Sequence, residues 1–207
     1  YAFVVSRLVE DNRLEDLSQE RLSSFYNVMS KAVTWWLKYR MSEEGLIYYA
    51  YRHESYWLKE KIFGAGTPSA SPDLAAYIAI ASTALSKIAA VLGRTDETLF
   101  WEDTSKKQIN ILTNKLWNGF EFESINPMTN KSAPAHGVLT LIPIILGNLL
   151  PGTLTSAIAE KTRMVSFEET PIIPATMIIH GLKRSGKMED AKRVASTLLK
   201  SCIMGGA

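Results

Sequence analysis

Cysteine occurs once and histidine three times in the 207 residues, so neither an internal disulfide nor a thiolate-built metal site is available. Cys202 falls at an apolar helical position and reads as a small buried hydrophobe. An excess of either charge is lacking too: 23 Lys and Arg against 21 Asp and Glu leave +2. The basic residues are scattered and accompany no nucleic-acid motif, so no DNA or RNA partner is expected. Long apolar runs are scarce. Residues 137–150 hold Pro143 and fall short of the ~20 residues that cross a bilayer, so they predict a buried helix and no membrane partner. Polar–apolar alternation is missing over any useful length, which argues against a sheet. A Gly-rich phosphate loop, His-Glu-x-x-His and a Ser-His-Asp set are absent as well, so no cofactor and no metal are expected.

What is present is helical periodicity. With 46% hydrophobic and 21% charged residues, 1–207 suit one helical domain with one core. Ser18 is an N-cap candidate for a helix to about Tyr39, whose Leu22, Phe25, Tyr26, Met29, Val33, Trp36 and Leu37 recur at i, i+3, i+4 spacing. Ser71-Pro72-Asp73 supplies a cap, a proline at the first helical position and a first-turn acid for a helix over 72–92 that ends at Gly93. This helix is apolar nearly all round, which predicts an inner position. The next, 95–117, carries Glu102, Asp103, Lys106, Lys107 and Lys115 on one side and Leu99, Phe100, Ile109, Ile111, Leu112 and Leu116 on others, and reads as outer. Asn118-Gly119 breaks the chain, and an Asn126-Pro127 turn follows in a stretch with little pattern. Residues 136–149 and 174–185 predict two more inner helices, with 154–163 and 188–200 as their outer partners. Long loops precede the inner helices, and loops of that length line functional faces.

The loop over 45–57 concentrates aromatics around polar groups. Tyr48, Tyr49, Tyr51, Tyr56 and Trp57 offer flat faces to the C–H groups of a pyranose, while Arg52, His53, Glu54 and Ser55 offer hydrogen bonds to hydroxyls. The same aromatics also suit simple packing of a long loop onto helices. Glu168 and Glu169 lie in another such loop, either facing the same concavity or solvated as an ordinary charge pair. His136 suits the start of a helix, His180 a structural place within one, and Asp73 a helix first turn without a catalytic part.

At Ser71-Pro-Asp-Leu-Ala-Ala-Tyr77 the chain resembles the six-hairpin glycosidases related to glycoside hydrolase family 63 and trehalase. Weaker matches follow at Leu116-Trp-Asn-Gly-Phe120, at the apolar run 139–146, and at Gly181-Leu182 with Gly186, so that the resemblance covers about 45–207. It implies an all-α fold, here a partial (α/α)6 toroid of helical hairpins, and inverting hydrolysis of an α-linked glucoside or related oligosaccharide by two carboxyl groups. In that family the acid follows a tryptophan in the loop before the Ser-Pro-Asp-Leu helix. Here Leu58 follows Trp57, and Glu54 occupies a neighbouring acidic position. The resemblance therefore implies Glu54 as the catalytic candidate, with Tyr51, His53, Tyr56, Trp57, Glu168 and Glu169 against a carbohydrate. Burial among tyrosines should then raise the pKa of Glu54.

The family's base lies in a loop beyond the last helix seen here, so enzymatic activity depends on a second carboxylate outside this stretch. A non-catalytic carbohydrate-binding module or a helical protein-interaction module is the alternative. The start Tyr1-Ala-Phe-Val-Val5 is not an intact signal peptide, and the end Met204-Gly-Gly-Ala207 follows a helix closely. These ends, and seven or eight helices where six hairpins need about twelve, lead to the expectation of a piece of a longer domain that self-associates through an exposed apolar seam. The compartment is left open.

Overall fold

The computed structural model of the chain describes residues 13, 14, 16–55, 62–167 and 170–204. The side chains of 201, 202 and 204 are not among them, so the expected burial of Cys202 lies outside the described residues, as do Tyr56, Trp57, Leu58, Glu168 and Glu169.

Helices carry the core, as the periodicity predicts. Helix α1 (Gln19–Tyr39) starts where expected, with the Ser18 hydroxyl accepting the Arg21 N–H. Its buried face is Leu22, Tyr26, Met29 and Val33, with Trp36 and Leu37 packed beside them. Phe25, expected on that stripe, is instead partly exposed, and joins Val28, Trp35 and Tyr39 on a second, solvent-facing apolar flank.

Helix α2 (Pro72–Val91) is buried on several sides, as its all-round apolarity requires, with Ile78, Ile80, Leu85 and Ile88 in the core. By length and composition it would cross a bilayer, yet 72% of its most apolar window is enclosed by its own chain, which is how a core helix satisfies the same pattern. It ends as read from the sequence, at Gly93 with φ +71°, a conformation open to glycine at little cost.

Helix α3 (Thr95–Asn114) packs along α2, but not through the face its large residues suggest. Leu99 and Phe100 are exposed, and the buried stripe is Trp101, Thr104, Ser105, Gln108, Ile111 and Leu112. The alanines of α2 explain this: small residues let the two backbones approach, and short polar side chains then bond across. The Ser105 hydroxyl donates to the Ala79 carbonyl at 3.1 Å and lies 2.8 Å from the Thr83 hydroxyl. Trp101 Nε1 donates to the Tyr26 hydroxyl at 2.7 Å, fastening α3 to α1.

The expected helix over 136–149 is a 3-10 segment, Val138–Leu149, with Pro143 inside it and a break at Gly147 (φ 56°, ψ −124°). Pro143 lacks the N–H that an α-helix would use, which favours short tight turns over one continuous helix. Burial is nevertheless as predicted, since Leu139, Leu141, Ile142, Ile144, Ile145 and Leu146 are all in the core. Helices α4 (Gly152–Lys161), α5 (Ile172–Arg184) and α6 (Met188–Met204) complete the chain.

The packing order is inner against inner and outer against inner. Helix α2 touches the 3-10 segment, which touches α5, while α3, α4 and α6 lie on α2, the 3-10 segment and α5 respectively. Gly181 lets α5 approach the 3-10 segment closely, since a Cβ there would fall on the Ile144 carbonyl.

A small sheet corrects the sheet-free expectation. Strands β1 (Tyr48–Tyr49), β2 (Ser69–Ala70), β3 (Glu123–Asn126) and β4 (Lys131–Pro134) pair antiparallel in that order. Two- and four-residue strands are too short to show alternation in sequence. The Asn126–Pro127 turn was legible: the Asn126 side-chain oxygen accepts the N–H groups of Met128 and Thr129, closing the β3–β4 hairpin. The pairing of Tyr48 with Ala70 and of Tyr49 with Ser69 places the aromatic loop directly beside the start of α2.

Candidate functional site

Where α1 ends, the chain turns back on itself and Arg40 becomes a clamp. Its backbone N–H caps α1 at the Trp36 carbonyl, and its guanidinium rests over the Trp35 ring at 4.9 Å. Arg40 Nη2 and Nε donate to Glu54 Oε1 at 2.6 and 3.2 Å. The other oxygen of Glu54 accepts the Ala50 N–H at 2.6 Å and the Tyr51 N–H at 3.4 Å. The carboxylate thus ties the loop to the helix end and folds the 3-10 turn Arg52–Glu54.

This geometry corrects the expected titration of Glu54. Burial works to raise its pKa, but the Arg40 hydrogen bonds and the two backbone N–H groups outweigh it, and the pKa is lowered. Glu54 is held as an anion, a hydrogen-bond acceptor rather than a stored proton.

Glu54 faces a cleft of about 440 Å³ whose other described lining residues are Trp36, Tyr49, Leu74, Tyr77, Ile78, Ile173 and Met177. Trp36 meets Tyr49 edge to face at 5.8 Å, and Tyr49 packs in turn on Phe63. Behind this wall the Tyr49 hydroxyl donates to Asp73 Oδ2 at 2.9 Å, and the Ser71 hydroxyl donates to Asp73 Oδ1.

Asp73 is wholly buried. It occupies the first turn of α2 as the sequence suggests, but it also anchors Tyr49, a role the sequence does not show. Ser71 is in the N-cap position with its hydroxyl on Asp73 rather than on a helix N–H. Burial raises the pKa of Asp73, against the pull of Ser71, Tyr49 and the Leu74 N–H. Burial, and next the Asp73 charge, push the Tyr49 phenol well above its ordinary value, so it stays a neutral donor.

Of the residues expected at the site, Glu54 and the loop aromatic Tyr49 line the cleft. Tyr51 and His53 are exposed and stack face to face on each other, ring centroids 5.4 Å apart and 5° from parallel, and neither lines the cleft. Tyr56, Trp57, Glu168 and Glu169 lie outside the described residues. Trp36, Tyr77, Ile173, Met177 and the Arg40 clamp were not singled out. Trp36 is hidden in the core stripe of α1, whereas Tyr77 closes the Ser-Pro-Asp-Leu-Ala-Ala-Tyr segment and was within reach of the sequence.

His136 is exposed beside the positive-φ Gly137. Among the described residues no three His, Cys, Asp or Glu side chains gather as metal ligands. A second depression of about 380 Å³ lies between Met41–Leu46 and the β3–β4 turn; Tyr48, one of the loop aromatics expected to face a sugar, lines it and not the cleft at Glu54.

No family model matches the chain, and no curated protein does. Among solved structures, a chain titled "Sialidase" is similar, with a TM-score of 0.58 and 19% identity over 72% of this chain. The present chain spans 14% of that chain's length, and the likeness is one of fold.

Proposed function

We propose that this chain is part of a glycosidase-like helical domain, a partial (α/α)6 toroid, that binds an α-linked glucoside or related oligosaccharide in the cleft at Glu54. The observation that carries this reading is an ionised, immobilised carboxylate set among Trp36, Tyr49 and Tyr77. Aromatic faces stack on sugar C–H surfaces, and a fixed anion accepts hydroxyl hydrogen bonds without reorganising. The three successive inner elements, each with an outer partner, suit half of a six-hairpin ring, and the fold likeness to a sialidase agrees with a glycosidase-like scaffold.

In the hydrolytic form of this reading two carboxyl groups flank the sugar and invert its anomeric carbon. Glu54, held as an anion, suits the acceptor side of such a pair, and the proton comes from another acid. The other carbohydrate contacts proposed from the sequence are Tyr51, His53, Tyr56, Trp57, Glu168 and Glu169; Tyr51 and His53, which do not line the cleft, would meet a ligand only where it extends beyond it. The non-catalytic binding module is favoured by one specific pair of observations, Leu58 after Trp57 and the lowered pKa of Glu54.

Tryptophan fluorescence under titration with methyl α-glucoside and malto-oligosaccharides tests the binding. Saturable quenching is expected, and Trp57→Ala should weaken it by about 1–3 kcal/mol through loss of a stacked ring. In the full-length parent, Glu54→Gln should abolish turnover with binding nearly intact. Undiminished turnover removes Glu54 from the chemistry, and a flat fluorescence response to every sugar rejects the carbohydrate reading.

A further inference from the structure

The lining of the cleft falls into two chemically different groups of residues. One is built from Trp36, Tyr49 and Glu54, with an anionic acceptor and aromatic faces. The other is built from Leu74 and Ile78 on α2 and Ile173 and Met177 on α5, and none of these four side chains can donate or accept a strong hydrogen bond. Tyr77 stands among them.

Ile173 remains 59% exposed and Ile172 61%, so the first turn of α5 presents aliphatic surface instead of burying it. At about 440 Å³ the space falls in the range of sites that enclose a ligand larger than one sugar ring. A second sugar laid against these aliphatic side chains would lose the water around most of its hydroxyls, with the Tyr77 hydroxyl as the one polar side-chain group among them in the described lining, which costs affinity. An apolar group on the same surface gains from burial, and an aromatic one also meets the Met177 thioether.

We propose that the cleft takes a glycoside of one sugar unit carrying an apolar, aryl-type aglycone, with the sugar at Glu54 and Trp36 and the aglycone against Ile173 and Met177. This rests on the glycoside-binding reading of the same cleft and assigns its specificity. Ile173 is the specificity-determining residue: it lines the cleft without taking part in the Arg40–Glu54 hydrogen bonds, and its exposure lets it be changed without opening the core.

Calorimetric titration of the full chain with p-nitrophenyl α-glucoside, methyl α-glucoside and maltose decides the matter. The aryl glucoside should bind on the order of tenfold more tightly than the methyl glucoside, and maltose no more tightly than the methyl glucoside. Ile173→Ser should bring the aryl glucoside towards the methyl value while leaving methyl glucoside binding and the thermal midpoint unchanged; Met177→Ala should weaken the aryl glucoside likewise, with some loss of thermal midpoint because Met177 packs against the core. If maltose binds more tightly than methyl glucoside and Ile173→Ser changes nothing, the aglycone assignment is overturned while the sugar reading survives. If none of the three ligands binds, both fall together. Free p-nitrophenol binding as tightly as its glucoside also overturns both, since the sugar then contributes nothing.

Discussion

Two carboxyl groups some 20 residues apart in sequence have been moved in opposite directions by their surroundings, and their opposition is measurable. Glu54 has a lowered pKa, because Arg40 and the backbone N–H groups outweigh its burial. Its contribution to stability is therefore present above the unfolded carboxylate value and is lost as pH falls through the folded one. Asp73 has a raised pKa, because burial outweighs Ser71, Tyr49 and the Leu74 N–H. It takes up its proton more readily in the folded chain, so its contribution is present below the unfolded value and is lost as pH rises through the folded one. Between about pH 6 and about pH 3, where carboxylates titrate, the two partly cancel. Asp73→Asn should leave the acid loss uncompensated, so that the urea midpoint falls more steeply from pH 6 to pH 4 than in the unaltered chain. Glu54→Gln should flatten or reverse that slope. Parallel profiles for all three chains would show that neither group is coupled to folding as the geometry implies.

At the scale of elements, the contact between α5 and the 3-10 segment leaves no room for a side chain at one position. Arg184 Nη1 donates to the Ile145 carbonyl at 2.8 Å, and Gly181 sits against Ile144 with no room for a side chain. Gly181→Ala should cost about 1–3 kcal/mol, as overpacking against rigid backbone does, even though alanine is the better helix former. Chemical denaturation reads this directly, and a stabilised Gly181→Ala variant would mean that the two elements stand further apart. Helix positions were legible because each carried a start, a stop and a period: Ser18, Pro72 and Gly93 placed their helix ends almost to the residue. The 3-10 character of Val138–Leu149 was not, because an apolar run looks the same whichever helical hydrogen-bond ladder it uses. Which of the apolar residues of α3 face α2 was not legible either. Ile111 and Leu112 are buried together with Trp101 and the polar Thr104, Ser105 and Gln108, while Leu99 and Phe100 are exposed.

For the whole molecule, the second apolar flank of α1 has the largest consequence. Phe25, Val28, Trp35 and Tyr39 are exposed on one flank of the helix whose other flank is already buried against α2. Contiguous apolar surface of this kind drives association. Sedimentation of the isolated chain should show concentration-dependent self-association, which Val28→Lys weakens without lowering the thermal midpoint. A chain that stays monomeric at high concentration would count against the exposed seam expected of a partial toroid.

The sequence by itself determined the helical class, the inner and outer character of the main elements and the aromatic, polar make-up of the loop at 45–57, since these follow from local periodicity, capping residues and composition. Only the tertiary structure decided the chemistry of the cleft. Glu54 became an anion because Arg40, 14 residues earlier, reaches it from the end of α1. Tyr49 became a fixed wall because a two-residue strand sets it against a buried Asp73, and Ile173 and Met177 joined the site from more than a hundred residues away in sequence. Such long-range juxtapositions carry no periodic signal. They depend on how whole elements pack, so the residues concerned look ordinary until the elements are brought together.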